Sequence, residues 1–327
     1  MRISDIGEFG LIARLKEAST GNPDPAGLLG IGDDAAAWAS LPGITLATAD
    51  CLVEGVHFTL ASTSWLDLGW KALASNLSDI AAMGGRAAYA LVTLGLPPDT
   101  EVEDVVAFYR GMNELARQYG VTVAGGDTSH SDTLFFSLTV IGQAQAHIME
   151  RSRAVPGQKI AVTGCLGAAA AGWKLLQAKR QGEAEAQALV KAFLKPTPRL
   201  LEGQCLLEAG VRAAIDISDG LEADLTHICQ CSRVGASVRL ADIPVHPSAR
   251  ALFGSEALEM ALGGGEDYEL LFTASPATMK ALAENARVKY AIIGEVTAEN
   301  PGTPMFLDAD GKENLVFKGG WQHFTNR

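Results

Sequence analysis

Short apolar runs of strand length alternate along this chain with longer runs of helical period, and the alternation starts twice. Ile44 to Ala49 reads as a strand. Trp65 to Met83 reads as a helix, opened by the capping pair Ser64 and Asp67 and stopped by Gly84-Gly85. Ala88 to Leu96 is a strand closed by Pro97-Pro98, Asp104 to Tyr119 is a helix closed by Gly120, and Val121 to Ala124 and Phe135 to Gln145 are strands. A turn-rich stretch, Arg151 to Gln158, then interrupts the pattern. Beyond it, strands are expected at Lys159 to Thr163, Ala213 to Ile217, Ser237 to Leu240, Glu269 to Thr273 and Tyr290 to Ile293. Helices are expected at Ala168 to Gln181, Leu200 to Ala209, Gly220 to Cys231 and Pro276 to Asn285, with a break at Pro196-Thr197-Pro198 and a hairpin turn at Asp308 to Gly311. The pattern predicts α/β or α+β packing in both halves. A chain of 327 residues is long for one core, so two domains are expected, 1–150 and 151–327.

The charge balance narrows the partners. A formal net charge of −12 repels nucleic acid and anionic membranes, whose binding rests on lysine and arginine. If such a chain binds a phosphorylated ligand, a divalent cation is the obvious source of positive charge. Met1 to Leu15 lacks a basic-then-apolar signal pattern, and no apolar run of eighteen residues occurs. The five cysteines (Cys51, Cys165, Cys205, Cys229, Cys231) form no Cys-x-x-Cys and read as thiols in a reducing compartment. The expectation is a soluble cytoplasmic protein.

Carboxylates recur in one setting, beside a glycine or at the end of an apolar strand. They are Asp33-Asp34 after Gly30-Ile31-Gly32, Asp50 after Leu46 to Ala49, Asp127 after Gly125-Gly126, Asp216 and Asp219 around Ile217-Ser218, and Glu266-Asp267 after Gly263 to Gly265. Asp79 lies near the end of the helix from Trp65. An ionised carboxylate at the end of an apolar strand is costly unless paired or bound to metal, and few cations lie in these motifs. With oxygen donors such as Thr48 and Ser218, the set suits a hard cation, Mg²⁺ first. The competing reading is that each aspartate caps a helix or makes a turn, and Asp219-Gly220 has the form of an N-cap. The chain has no G-x-x-x-x-G-K-[ST], no protein-kinase motif set, no dinucleotide fingerprint and no nucleophile elbow.

Gly7-Glu8-Phe9-Gly10-Leu11-Ile12, Ile31-Gly32-Asp33-Asp34, Glu54-Gly55-Val56-His57-Phe58, Lys71 to Asp79, Gly125-Gly126-Asp127, Asp216-Ile217-Ser218-Asp219-Gly220 and Gly264 to Glu269 resemble the motifs of thiamine-monophosphate kinases, in family order over nearly the whole chain. The family belongs to the aminoimidazole-ribonucleotide-synthetase superfamily. The resemblance implies two α/β domains, a homodimer built on N-terminal-domain strands, and ATP bound without a P-loop. The implied reaction is thiamine monophosphate plus ATP giving thiamine diphosphate plus ADP. The implied metal ligands are Asp34, Thr48, Asp50, Asp79, Asp127, Asp216 and Asp219, holding several Mg²⁺ ions. The family often has a hydroxyl residue where Ala49 stands, so only the Ala49 carbonyl can serve there. ATP contacts would come from Gly126, Asp127, Arg151 and Ser218; Arg153 shares the arginine loop, and which of the two meets phosphate stays open. His57, Glu266 and Trp321 would meet the thiamine substrate.

A phosphate monoester with a second pKa of about 6 is mostly dianionic near neutral pH, so no general base is expected. The barrier is repulsion between anions, about 4 kcal/mol for two unit charges at about 4 Å in an effective dielectric near 20. Sister enzymes of the superfamily are the nearest alternatives. Selenophosphate synthetases carry a reactive Cys or selenocysteine with Lys, whereas Gly21 to Ile31 has neither. Hydrogenase-maturation members end in cysteine, and this sequence ends in Phe324-Thr325-Asn326-Arg327. A non-catalytic nucleotide or metal sensor on the same fold is the remaining alternative.

Overall fold

The computed structural model describes residues 1–19, 31, 35–40, 42–183, 185–284 and 287–313. Two units result, one of Met1–Ile80 with Arg86–Ala146, the other of Ala81–Gly85 with the chain from His147 onward. Both are mixed α/β, as the pattern predicts.

The first unit contains α1 (Ile3–Ala18), β1 (Ile44–Val53), α2 (Trp65–Ala82) up to Ile80, β2 (Arg86–Leu96), α3 (Val102–Tyr119), β3 (Thr122–His130) and β4 (Phe135–Ala144). Its sheet runs β1-β4-β2-β3, with β4 antiparallel to β1 and β2, and β3 parallel to β2. A parallel neighbour needs a crossover, which α3 supplies. Helix α2 begins where its capping pair sits: Ser64 Oγ accepts from the Asp67 amide at 3.1 Å and donates to Asp67 Oδ2 at 2.7 Å. Helix α3 stops at Gly120, whose φ of 70° is the left-handed turn that glycine adopts without strain. On the covered side of the sheet, Phe136 stacks on Phe108 at 4.2 Å between centroids and meets Trp65 edge-on at 5.7 Å.

Helix α1 has no counterpart in the sequence pattern. It bends at Gly7 (φ 68°, ψ −178°), so no single apolar period runs through it. Strands β1 and β3 run past Ala49 and Ala124, where the apolar runs end. Both extensions contain an acidic residue, Asp50 and Asp127, which alternation of apolar residues cannot extend across.

The second unit contains β5 (Lys159–Thr163), α4 (Ala168–Gln177), α5 (Ala186–Leu194), α6 (Leu200–Glu208), β6 (Ala213–Asp216), α7 (Leu221–Ser232), β7 (Gly235–Arg239), α8 (Pro247–Phe253), α9 (Glu256–Gly263), β8 (Leu270–Ala274), α10 (Pro276–Glu284), β9 (Tyr290–Thr297) and β10 (Pro304–Leu307). The sheet order is β10-β7-β9-β5-β8-β6, antiparallel except for the β10/β7 pair. Helix α4 ends at Gln177 rather than Gln181, because the chain turns through Lys179 at φ 55°. The short helices α5, α8 and α9 also lie outside the sequence expectation; α8, of seven residues, is too short for a helical period to show.

Register places the site-bearing ends of this sheet together. Asp216 ends β6 opposite Leu270, the first residue of β8, and Thr163 ends β5 opposite Tyr290, the first residue of β9. Thr163 Oγ1 accepts from the Leu270 amide at 2.8 Å, which joins β5 to the same row. Among the described residues, no helix is long and apolar enough to cross a membrane.

Candidate active site

In the first unit, the alternation of β1 decides which oxygens share a face. Leu46, Thr48, Asp50 and Leu52 lie on one side. The two leucines are buried, and Thr48 and Asp50 are half-buried between them. Ala49 is exposed on the other side. Asp79 comes to this face from α2, where its Oδ2 accepts from Thr48 Oγ1 at 2.5 Å. Thr48 and Asp79 are thus in contact, and Asp50 lies on the same face of β1. The Cys51 thiol registers the local negative field: burial raises its pKa, and the Asp50 carboxylate raises it further.

Asp127 is exposed on β3, directly after Gly126. A Cβ on Gly126 would lie 1.8 Å from the Val92 carbonyl oxygen, so only glycine lets β3 approach β2 at this point. His57 sits in the turn that follows β1. Its Nδ1 accepts from the Val53 amide at 3.0 Å, which leaves Nε2 to carry the proton of a neutral ring. Lys71, in the same motif as Asp79 on α2, is 1% exposed.

The second unit carries another set. Asp216 is 2% exposed at the end of β6. The chain then turns so that the amides of Ser218, Asp219 and Gly220 all donate to Asp224 Oδ2, at 3.1, 3.2 and 3.1 Å. Gly220 is the N-cap of α7, so the Asp219-Gly220 pair opens this helix as its sequence suggests, and Asp224, from the first turn, satisfies the amides there. Burial, followed by the charges of Asp216 and Asp219, pushes the Asp224 carboxyl up to about 8 against the pull of its backbone donors. Asp219, Asp224 and His227 are the group of three ligand-type side chains lying within 4.8 Å of one another among the described residues. Asp50, Asp79 and Asp127 do not form such a group there.

The 217–218 segment is zipped to the loop that carries Glu266. Glu266 donates its amide to Ser218 O at 2.8 Å, and Tyr268 donates to Ile217 O at 2.9 Å. Ser218 and Glu266, both named from the sequence, are thus brought together. Asp267 is a helix cap: it accepts from the amides of Gly167 at 2.7 Å and Ala169 at 3.2 Å at the start of α4. Desolvation raises its carboxyl to about 7. Glu269, 4% exposed, accepts from Arg199 Nε at 2.7 Å and Nη2 at 2.5 Å, and from Thr163 Oγ1 at 2.6 Å.

Arg151 opens a 3-10 turn, Arg151–Arg153, and is exposed. Arg153 Nε donates to Glu150 Oε1 at 2.9 Å within that turn, whereas no ion pair of Arg151 occurs among the described residues. Asp34 and Trp321 lie outside the described residues. Sequence reading missed Asp224, His227 and Arg199. The spacing of Asp224 and His227, three apart on one helix after Asp219, is a signal that could have found the first two.

Residues 32–144 match the family of AIR synthase related proteins, N-terminal domain, and residues 155–305 match the AIR synthase related C-terminal domain. The thiamine-monophosphate kinase of Bacillus subtilis (strain 168) is 36% identical over 305 residues, covering 90% of this chain and 93% of its own. The crystal structure of thiamine-monophosphate kinase from Stenotrophomonas maltophilia K279a superposes with a TM-score of 0.82 at 37% identity, over 94% of this chain and 98% of that one. AaThiL complexed with AMPPCP and TMP superposes with a TM-score of 0.78 at 34% identity, with 99% of both chains covered. Two domain matches in order, and identity of this level over nearly the whole length, place the chain in the thiamine-monophosphate kinase family of enzymes.

Proposed function

We propose that this chain transfers the γ-phosphate of ATP directly to the phosphate of thiamine monophosphate, giving thiamine diphosphate and ADP. The observation that carries this reading is the likeness, over 99% of both chains, to AaThiL complexed with AMPPCP and TMP. An oxygen of the acceptor phosphate bonds to the γ-phosphorus in line with the breaking bond to the bridging oxygen, and ADP leaves with that electron pair. The dianionic acceptor has no proton to surrender, so no side chain serves as general base.

The chain's own residues then bind, align and separate charge. Thr48, Asp50 and Asp79 offer oxygen donors alone, which fits Mg²⁺ better than a softer ion. Asp34, Asp127 and the carbonyl of Ala49 complete the metal-binding set we assign to the first unit, and Asp216 and Asp219 the set in the second. When bound, Mg²⁺ supplies neutralisation between the two anions. Gly126, Asp127, Arg151 and Ser218 are assigned to ATP. Of the two arginines, Arg151 is preferred, since Arg153 is held by Glu150. His57, the Glu266 carboxylate and the Trp321 ring are assigned to thiamine monophosphate, whose cationic thiazolium an acid and an aromatic face suit.

The working protein is proposed to be a cytoplasmic homodimer joined through strands of the first unit. Thr45, Ala47, Ala49 and Cys51, on one face of the edge strand β1, are all exposed, which supports a partner there. Sedimentation gives the oligomeric state. The test of function is ADP release from Mg-ATP with thiamine, thiamine monophosphate, aminoimidazole precursors or selenide. Release with thiamine monophosphate alone is expected. Release with another member of the panel, or with none, overturns the proposal.

A further inference from the structure

The loop that carries Glu266 is held in a conformation its residues rarely adopt. Gly265, Glu266 and Tyr268 have φ of 67°, 59° and 50°. Glycine tolerates that region, but glutamate and tyrosine adopt it only when their surroundings enforce it. The enforcing contacts alternate with the strained residues. Asp267, between the two, takes the Gly167 and Ala169 amides at 2.7 and 3.2 Å. Glu269, just beyond, is gripped by two nitrogens of Arg199 and by Thr163 Oγ1, which also accepts the Leu270 amide. Gly164 leaves room for that carboxylate, since a Cβ there would lie 2.0 Å from Glu269 Oε1.

We propose that Asp267 and Glu269 are positioning residues, a two-point clamp that holds the strained loop so that Glu266 and the zipped Ser218–Asp219 turn are presented to substrate in one fixed arrangement. The clamp is built from charged acceptors aimed at fixed donors. Asp267 meets the amides that open α4, which have no partner within their own helix. Glu269 meets the planar fork of Arg199, a pairing that fixes direction as well as distance. Strain concentrated on two residues and enforced from both sides serves something local, and Glu266 is the side chain it orients. This inference rests on the reading that Glu266 meets thiamine monophosphate.

The experiment uses the full chain as wild type, Asp267→Asn, Arg199→Lys and Glu266→Gln. Asparagine keeps the shape of Asp267 but turns an amide donor toward donors, so it opens one point of the clamp. Lysine keeps the charge of Arg199 but loses the fork. Two readouts are taken: amide hydrogen exchange over residues 264–270 and 216–220, and KM for thiamine monophosphate and for ATP. For Asp267→Asn, exchange in both segments is expected to speed up about tenfold. KM for thiamine monophosphate should rise about tenfold or more, because small displacements of a binding group are costly, while KM for ATP, which keeps its contacts outside the Ser218 turn, rises by clearly less. Arg199→Lys should move both readouts the same way by less, and it carries the test if Asp267→Asn does not fold. Unchanged exchange, an unchanged KM for thiamine monophosphate, or an equal rise in both KM values overturns the clamp. Absence of turnover in wild type, or a normal KM in Glu266→Gln, instead removes the substrate assignment, while exchange still decides whether the clamp exists.

Discussion

The hydroxyl of Thr48 donates to Oδ2 of Asp79 at 2.5 Å, tying strand β1 to helix α2 on the face that also carries Asp50. Thr48→Val keeps the shape and removes the donor, leaving a half-buried carboxylate less satisfied. The expected loss is about 1–2 kcal/mol of stability, with weakened Mg-ATP binding. Asp50→Asn leaves that hydrogen bond alone and removes a charge. It should lower kcat by about a hundredfold or more, with no recovery at high magnesium. A magnesium titration of kcat separates the two, and a near-normal kcat in Asp50→Asn excludes Asp50 from the reaction.

Gly126 is a backbone position before it is a ligand position. Gly126→Ala sets a Cβ 1.8 Å from the Val92 carbonyl oxygen, so β2 and β3 must separate. Overpacking of this kind costs about 1–3 kcal/mol, seen as a lower Tm and a raised KM for ATP. Gly125→Ala is the control, because its Cβ would find nothing closer than 3.7 Å, at the Leu91 side chain. Equal melting temperatures for the two variants would refute the close-approach argument.

The arginine loop gives a contrast between neighbours. Arg153 is committed to Glu150 in an exposed pair, of the kind that adds little stability. Arg151 shares the turn and is exposed, and its backbone carbonyl accepts from Ser232 Oγ at 2.8 Å. Arg151→Ala should raise KM for ATP about tenfold with little change in Tm, whereas Arg153→Ala should leave both near wild type. Steady-state kinetics with ATP varied decides it, and the reverse ranking transfers the ATP contact to Arg153.

Which parts are legible in the sequence follows from how local their causes are. The start of α2 is readable because Ser64 and Asp67 are three residues apart, and the end of α3 because Gly120 alone supplies the left-handed turn. Thr48 and Asp50 can be placed on one face because strand alternation is local. The full extents of β1 and β3 are hidden by the acidic residues they contain. The roles of Asp267 and Glu269 are hidden for another reason: their partners lie about 100 and 70 residues away, at Gly167 and Arg199, and no spacing rule reaches that far. By its motif Asp267 groups with the metal-type carboxylates, yet it caps α4, so the bland reading of an aspartate after glycines holds at that position.

Asp224 gives the molecule a pH dependence with a definite sign. Its carboxyl is raised from 3.8 to about 8 by burial and by Asp216 and Asp219. The folded state therefore holds a proton that the unfolded state has released, and stability must fall as pH rises through that window. Its contribution is fully present below about pH 4 and lost as pH passes about 8. The effect is of order a few kcal/mol, since each tenfold change in proton affinity corresponds to about 1.4 kcal/mol. Asp224→Asn removes the titration and should flatten the curve of Tm against pH across this range. A cation held beside Asp219 favours ionised Asp224, so added magnesium should flatten the wild-type curve as well. Melting curves for both proteins, with and without magnesium, test the claim; parallel wild-type and variant curves without magnesium would show that Asp224 does not titrate there.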